Sequence, residues 1–189
     1  MKFKLDHFGI LAPFYEHFIK ASLPEKLLGW VDLPAGGAVL DAGGGTGWVA
    51  QFLREQAGLI VVADESRGML REAQSKTGLL PVCAHTERLP FADSTFDRIL
   101  MVDALHHVAD QAHSAAELWR ILKPGGRIVI EEPDVRSLGV KFIAIAEKLA
   151  LMRSHFLSPP EISSLFRSVN ARVRVEVDGS TAWVIVEKE

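Results

Sequence analysis

Between residues 39 and 131 the chain alternates short, nearly unbroken apolar runs with stretches of mixed polarity. The runs are Val39-Leu40-Asp41 and residues 59–63, 79–83, 96–102 and 126–131. Aliphatic runs of this length without polar alternation predict strands buried on both faces. The intervening stretches 46–56, 66–76 and 110–122 predict helices, with Ser66 and Asp110 placed as N-caps. Strand and helix in alternation generate a parallel sheet covered by helices. The end of the chain has another pattern. Residues 173–177 and 183–186 are β-rich and are joined by Asp178-Gly179-Ser180, which leaves no room for a helix and predicts an antiparallel hairpin. Two regions fall outside this core, an aromatic-rich N-terminal helical segment (1–33) and a helical stretch at 137–157. Neither is long enough for a second domain, so residues 1–189 are expected to form one.

Composition narrows the function. Apolar residues make up 48% and charged residues 24%, the balance of a globular domain. The most apolar stretch, 138–152, is interrupted by Lys141, Glu147 and Lys148, so no membrane span is expected. Met1-Lys2-Phe3-Lys4-Leu5-Asp6 lacks the apolar core of an export signal, which points to the cytoplasm. Cys83 is the single cysteine; it excludes an internal disulfide and a multi-cysteine zinc site, and its apolar surroundings predict a small core residue. A net charge of −3 gives no footprint for nucleic acid and favours a small-molecule partner. A homodimer is left open.

Val39-Leu40-Asp41-Ala42-Gly43-Gly44-Gly45-Thr46-Gly47-Trp48 reads as a strand, a glycine turn and a helix start, where backbone approaches a ligand closely. Two cofactor registers compete: a dinucleotide pattern beginning at Gly45, and G-x-G-x-G at Gly43, Gly45 and Gly47. A purely structural turn is the third reading. Charge favours the second register. Asp41 ends the strand two residues before Gly43, where a carboxylate repels a pyrophosphate but attracts the ammonium and sulfonium of S-adenosylmethionine. Amides at the helix start would receive that cofactor's carboxylate. Asp64 ends the second strand, 21 residues after Gly43, where a carboxylate can accept from both ribose hydroxyls, with Glu65 beside it.

Three more segments carry a resemblance. Residues 87–97, running Glu87-Arg88-Leu89-Pro90-Phe91-Ala92-Asp93-Ser94-Thr95-Phe96-Asp97, then Ala104-Leu105-His106-His107-Val108 and Leu122-Lys123-Pro124-Gly125-Gly126-Arg127-Ile128, follow in order after the glycine loop and Asp64. Together the set resembles the class I S-adenosylmethionine-dependent methyltransferases, in particular the ubiquinone and menaquinone biosynthesis C-methyltransferase branch. The resemblance covers residues 39–133, and residues 160–189 are similar to the family's last helix and hairpin. It implies a doubly wound, Rossmann-like α/β fold with a seven-stranded, mostly parallel sheet in the order 3-2-1-4-5-7-6 and an antiparallel strand seven. It also implies S-adenosylmethionine as cofactor, S-adenosylhomocysteine as product and a small-molecule methyl acceptor. Pro124 and Gly125 suit positions i+1 and i+2 of a type II turn on their own account. One departure stands out: alignment puts His85 where the family commonly has an aspartate facing adenine, with the Thr86 amide as a further adenine contact.

Methyl transfer disperses charge in its transition state, so alignment and exclusion of water are the main requirements. His106 and His107 are the candidate bases, and Asp103, Glu131 and Glu132 also lie at strand ends. The two histidines could equally cap the loop or pack beneath the cofactor. Tyr15, with Phe8, Phe14 and Phe18, resembles the segment that closes over the methyl donor, and an amphipathic helix packed on the core is an equal and compatible reading. Leu138, Phe142, Ile145, Leu149, Met152 and Phe156 form an apolar stripe at helical spacing that core packing explains equally well; its position after the fifth strand favours a helical cover and a hydrophobic or aromatic acceptor. The rival functions are an NAD-dependent oxidoreductase and a non-catalytic methyltransferase-like cofactor-binding module.

Overall fold

A computed structural model describes residues 25–137, 140, 154–167 and 169–189. Its strands are β1 (Ala38–Ala42), β2 (Leu59–Asp64), β3 (Leu80–Cys83), β4 (Phe96–Val102), β5 (Leu122–Pro133), β6 (Ala171–Asp178) and β7 (Thr181–Lys188). They form one sheet in the order β3-β2-β1-β4-β5-β7-β6. The first five strands pair in parallel, and β7 runs antiparallel to both β5 and β6. The helices are α1 (Glu25–Val31), α2 (Arg67–Gln74), α3 (Gln111–Ile121) and α4 (Pro159–Ser164), with short 3₁₀ turns at Ala50–Leu53 and Leu105–His107. Among the described residues no helix is long and apolar enough to cross a membrane.

Successive residues of a strand point to opposite faces, and both faces here are apolar. Leu40, Val61, Ile99, Met101, Ile128 and Val184 face one core, completed by Leu118 and Ile121 of α3 and by Phe166. Val39, Ile60, Val62, Leu100, Val129 and Ile185 face the other, against Leu27 and Val31 of α1 and Leu70 and Ala73 of α2. The double burial explains why the strands carry no polar alternation. It leaves the carboxyl ends of the parallel strands as the place where polar residues gather.

Ser66 and Asp110 are the N-caps: Ser66 Oγ accepts from the Met69 amide and Asp110 from the His113 amide. Gly125 has φ +74 inside β5, where the pairing with β4 shifts register, so the Pro124-Gly125 turn is a bulge within the strand. Two expectations need correction. The helix expected over 46–56 is a series of turns with 3₁₀ geometry only at Ala50–Leu53. Gly47, at φ +72, breaks right-handed geometry after the first residue of that stretch. Cys83 is exposed rather than buried. It ends β3, which lies at the sheet edge, so this strand is only partly covered and Leu80 is exposed as well. The proposed contact residue Tyr15, the aromatics Phe8, Phe14 and Phe18, and residues 138, 139 and 141–153 of the expected cover lie outside the described residues.

Candidate functional site

The site is built on the turn after β1. Gly43, Gly45 and Gly47 have φ of +72, +55 and +72, a left-handed geometry that glycine adopts without penalty. Gly44 is required for space: a Cβ there would lie 2.4 Å from Cγ of Asp41. The amides of Gly43 and Gly44 donate to the Ala63 carbonyl at 2.7 and 3.3 Å. That of Gly45 donates to Asp64 Oδ2 at 3.0 Å, and that of Gly47 to the Gly44 carbonyl at 2.8 Å. The loop is thereby pinned to the end of β2. No α-helix begins here, so the amides expected to hold a cofactor carboxylate belong to turns rather than to a helix start.

Asp41 lies beneath this loop with 1% of its surface exposed, and neither carboxylate oxygen has a hydrogen-bond partner among the described residues. Burial pushes its pKa up to about 7, the Asp64 charge adds to the rise, and the Ala50 backbone, which makes no hydrogen bond of proper geometry to the carboxylate, offsets a part of it. Asp41 lines a cavity of about 70 Å³ together with the glycine loop, Trp48, Val49, Val102 and Asp103. A cleft of about 240 Å³ abuts it, sharing Gly43, Gly45 and Asp103. Asp64, Glu65, Ser66, Met69, Ala84, His85, Thr86 and His107 line this larger space. Asp64 also accepts the Ser66 amide at 2.7 Å, so its carboxylate is held against the cleft wall. His85 Nδ1 is 3.0 Å from Glu65 Oε2, and Thr86 Oγ1 is 2.8 Å from Ser114 Oγ of α3. The structure therefore brings Asp41, Gly43, Gly44, Gly45, Asp64, Glu65, His85 and Thr86 to one contiguous pair of cavities. Gly47 turns away from them, since a Cβ there would lie 2.6 Å from Leu79.

The two candidate bases are placed differently. His107 lines the cleft, and its pKa is lowered to about 4 by burial and by the neighbouring His106. His106 is 4% exposed and lies off the cleft, with Nδ1 2.6 Å from Glu132 Oε2 and its ring stacked on Phe156. Glu131 accepts the Trp183 indole N–H at 2.6 Å. Burial raises the Glu131 pKa, the Trp183 bond opposes that, and Asp103 and Glu132 add to it. Asp103 was legible only as a strand end; its φ of +49 and its place between the two cavities emerge from the fold. Met69 and Trp48, which line the cavities, carried no sequence signal beyond apolar spacing. Among the described residues no group of histidine, cysteine or acidic side chains could hold a metal ion.

Residues 40–130 match the family model described as a methyltransferase domain. Over that segment, just under half of the chain, the sequence is similar to the methyltransferase domain family. The chain is 40% identical over 102 residues to a demethylmenaquinone methyltransferase of Corynebacterium urealyticum, covering 54% of this chain and 44% of that protein. It is 38% identical over 107 residues to a ubiquinone/menaquinone biosynthesis C-methyltransferase of Haemophilus ducreyi, covering 51% and 41%. It thus spans less than half the length of these curated relatives. A solved S-adenosylmethionine-dependent methyltransferase of Thermotoga maritima shares the fold, with a TM-score of 0.80 at 21% identity over 96% of this chain and 98% of that one.

Proposed function

We propose that this chain is a methyltransferase that binds S-adenosylmethionine in the paired cavities, releases S-adenosylhomocysteine, and methylates a ring carbon of a small quinol-type acceptor. The observation that carries the cofactor reading is Asp41: a buried carboxylate, unsatisfied among the described residues, lining a cavity. Such a group is either protonated or paired with a cation, and the ammonium of the cofactor would supply the cation. Asp64 suits the ribose hydroxyls, with Glu65, His85, Thr86 and the apolar flanks of Met69 and Ala84 around the adenine. The neighbouring carboxylates of Asp41 and Asp64 oppose a pyrophosphate, which sets the NAD-dependent oxidoreductase reading aside. The acceptor class is that of the relatives in quinone biosynthesis, and the apolar residues of the sequence between 138 and 156 suit it.

When bound, the cofactor supplies a methyl group on positively charged sulfur. The protein's part is to align that group with the acceptor and keep water away, effects that together can contribute about 7 to 11 kcal/mol. His107 is neutral at pH 7 and offers a hydrogen-bond acceptor to an acceptor hydroxyl. Its lowered pKa makes it a weak base, so its role is to orient the acceptor. The test is transfer of labelled methyl from S-adenosylmethionine to a demethylated quinol. Asp64→Ala is expected to keep the fold and to weaken S-adenosylhomocysteine binding roughly ten- to hundredfold. A folded variant with an unchanged dissociation constant removes Asp64 from the site.

A further inference from the structure

Glu132 sits on β5 and is 3% exposed, yet the chemistry proposed above makes no use of it. Its Oε1 accepts the amides of Ala104 and Leu105 at 3.0 and 2.7 Å, and its Oε2 lies 2.6 Å from His106 Nδ1. A buried carboxylate is costly unless donors converge on it, and three do. The alternating pattern of β5 places residue 132 on the face of Ile128 and Ile130, where an aliphatic side chain would serve the sheet. The charge therefore serves the loop after β4.

That loop has two jobs. Ala104 packs so tightly on the glycine turn that a Cβ at Gly43 would lie 2.6 Å from its own, and His107 follows it along the cleft. The loop also receives residues 154–156. The His155 amide donates to the His106 carbonyl at 2.7 Å, Phe156 stacks on the His106 ring at 4.3 Å, and Ser154 Oγ is 3.3 Å from His107 Nδ1. Gln111 Nε2 ties the halves together by donating to the carbonyls of Leu105 and His155.

We propose that Glu132 is a positioning residue, which acts through Ala104, Leu105 and His106 to set His107 against the cleft and to dock residues 154–156 beside it. The assignment rests on the proposed function only for the nature of the ligand. With both amides on one oxygen, the carboxylate offers its other oxygen to the Nδ1–H of His106, which fixes that ring's tautomer.

The test is ¹⁵N NMR of the imidazoles across a pH titration of the full chain, with E132A and E132Q beside the wild type. In folded E132A the His107 midpoint is expected to rise by more than about one unit toward the ordinary value near 6.5, and S-adenosylhomocysteine to bind about tenfold more weakly. In E132Q the amide carbonyl still accepts both backbone N–H groups, while its NH₂ forces His106 Nδ1 to become an acceptor. The His106 tautomer is therefore expected to invert, with the His107 midpoint within about half a unit of wild type. A glutamate that only stabilised the fold would alter melting temperature and leave the His107 midpoint alone. An unmoved His107 midpoint in folded E132A overturns the proposal; so does an unchanged His106 tautomer in E132Q, which decides the matter if E132A does not fold. If the wild type fails to bind S-adenosylhomocysteine while the ring states respond as expected, the functional reading falls and the positioning role stands.

Discussion

Asp41 is enclosed on one side by Gly44 and on the other by a cavity. Its folded pKa of about 7 lies above the unfolded value of 3.8, so between these values the folded chain holds more protons than the unfolded one. The stabilisation from this group is full below pH 3.8 and is lost as pH rises to 7, a change of roughly 4 kcal/mol. Asp41→Asn should therefore raise the melting temperature at pH 8 relative to wild type, while weakening S-adenosylhomocysteine binding. A cation placed beside Asp41 favours its ionised form, so binding near pH 6.5 should release a proton, seen as a buffer-dependent heat in calorimetry. Equal heats in buffers of different ionisation enthalpy would separate Asp41 from the cofactor's ammonium. Gly44→Ala should destabilise the fold, because the new methyl lies 2.4 Å from the Asp41 side chain and displaces a buried group. Asp41 and Asp64 were legible in the sequence because each ends an apolar strand at a fixed distance from a glycine turn. The work of Glu132 was not, because its partners are 26 to 28 residues away and meet it only through the pairing of β4 with β5.

Elements whose signals were local match the structure, and those that depended on neighbours shifted. Ser66 and Asp110 cap their helices because a short polar side chain before an amphipathic run can satisfy an otherwise unbonded amide. Ser66→Ala should cost about 1 kcal/mol in denaturant unfolding with the slope unchanged. The stretch 46–56 carries Val49, Ala50 and Leu53 at helical spacing, but the left-handed Gly47 and the tight packing of the loop on Leu79 leave only a 3₁₀ turn there. The same spacing buries Ala50 and Leu53, so the pattern reported burial correctly and conformation incorrectly. Cys83 shows a similar limit: an apolar run does not reveal that its strand will stand at the sheet edge.

At the scale of the whole molecule, strand order places β1 and β4 at the centre of the sheet and β3 and β6 at its edges. Amide exchange should be slowest in β1 and β4, faster in β3 and β6, and should slow further around residues 43–47 and 64–66 when S-adenosylhomocysteine binds. The parallel sheet and the closing hairpin were readable from the alternation of strands and helices, because both follow from short-range periodicity, whereas the strand order was legible only through the family resemblance. The most direct test of the whole account is calorimetric titration of the full chain with S-adenosylhomocysteine and, separately, with NADH. Saturable one-to-one binding of S-adenosylhomocysteine, weakened by Asp64→Ala and with no heat from NADH, is the predicted result. Binding of NADH with none of S-adenosylhomocysteine would contradict it.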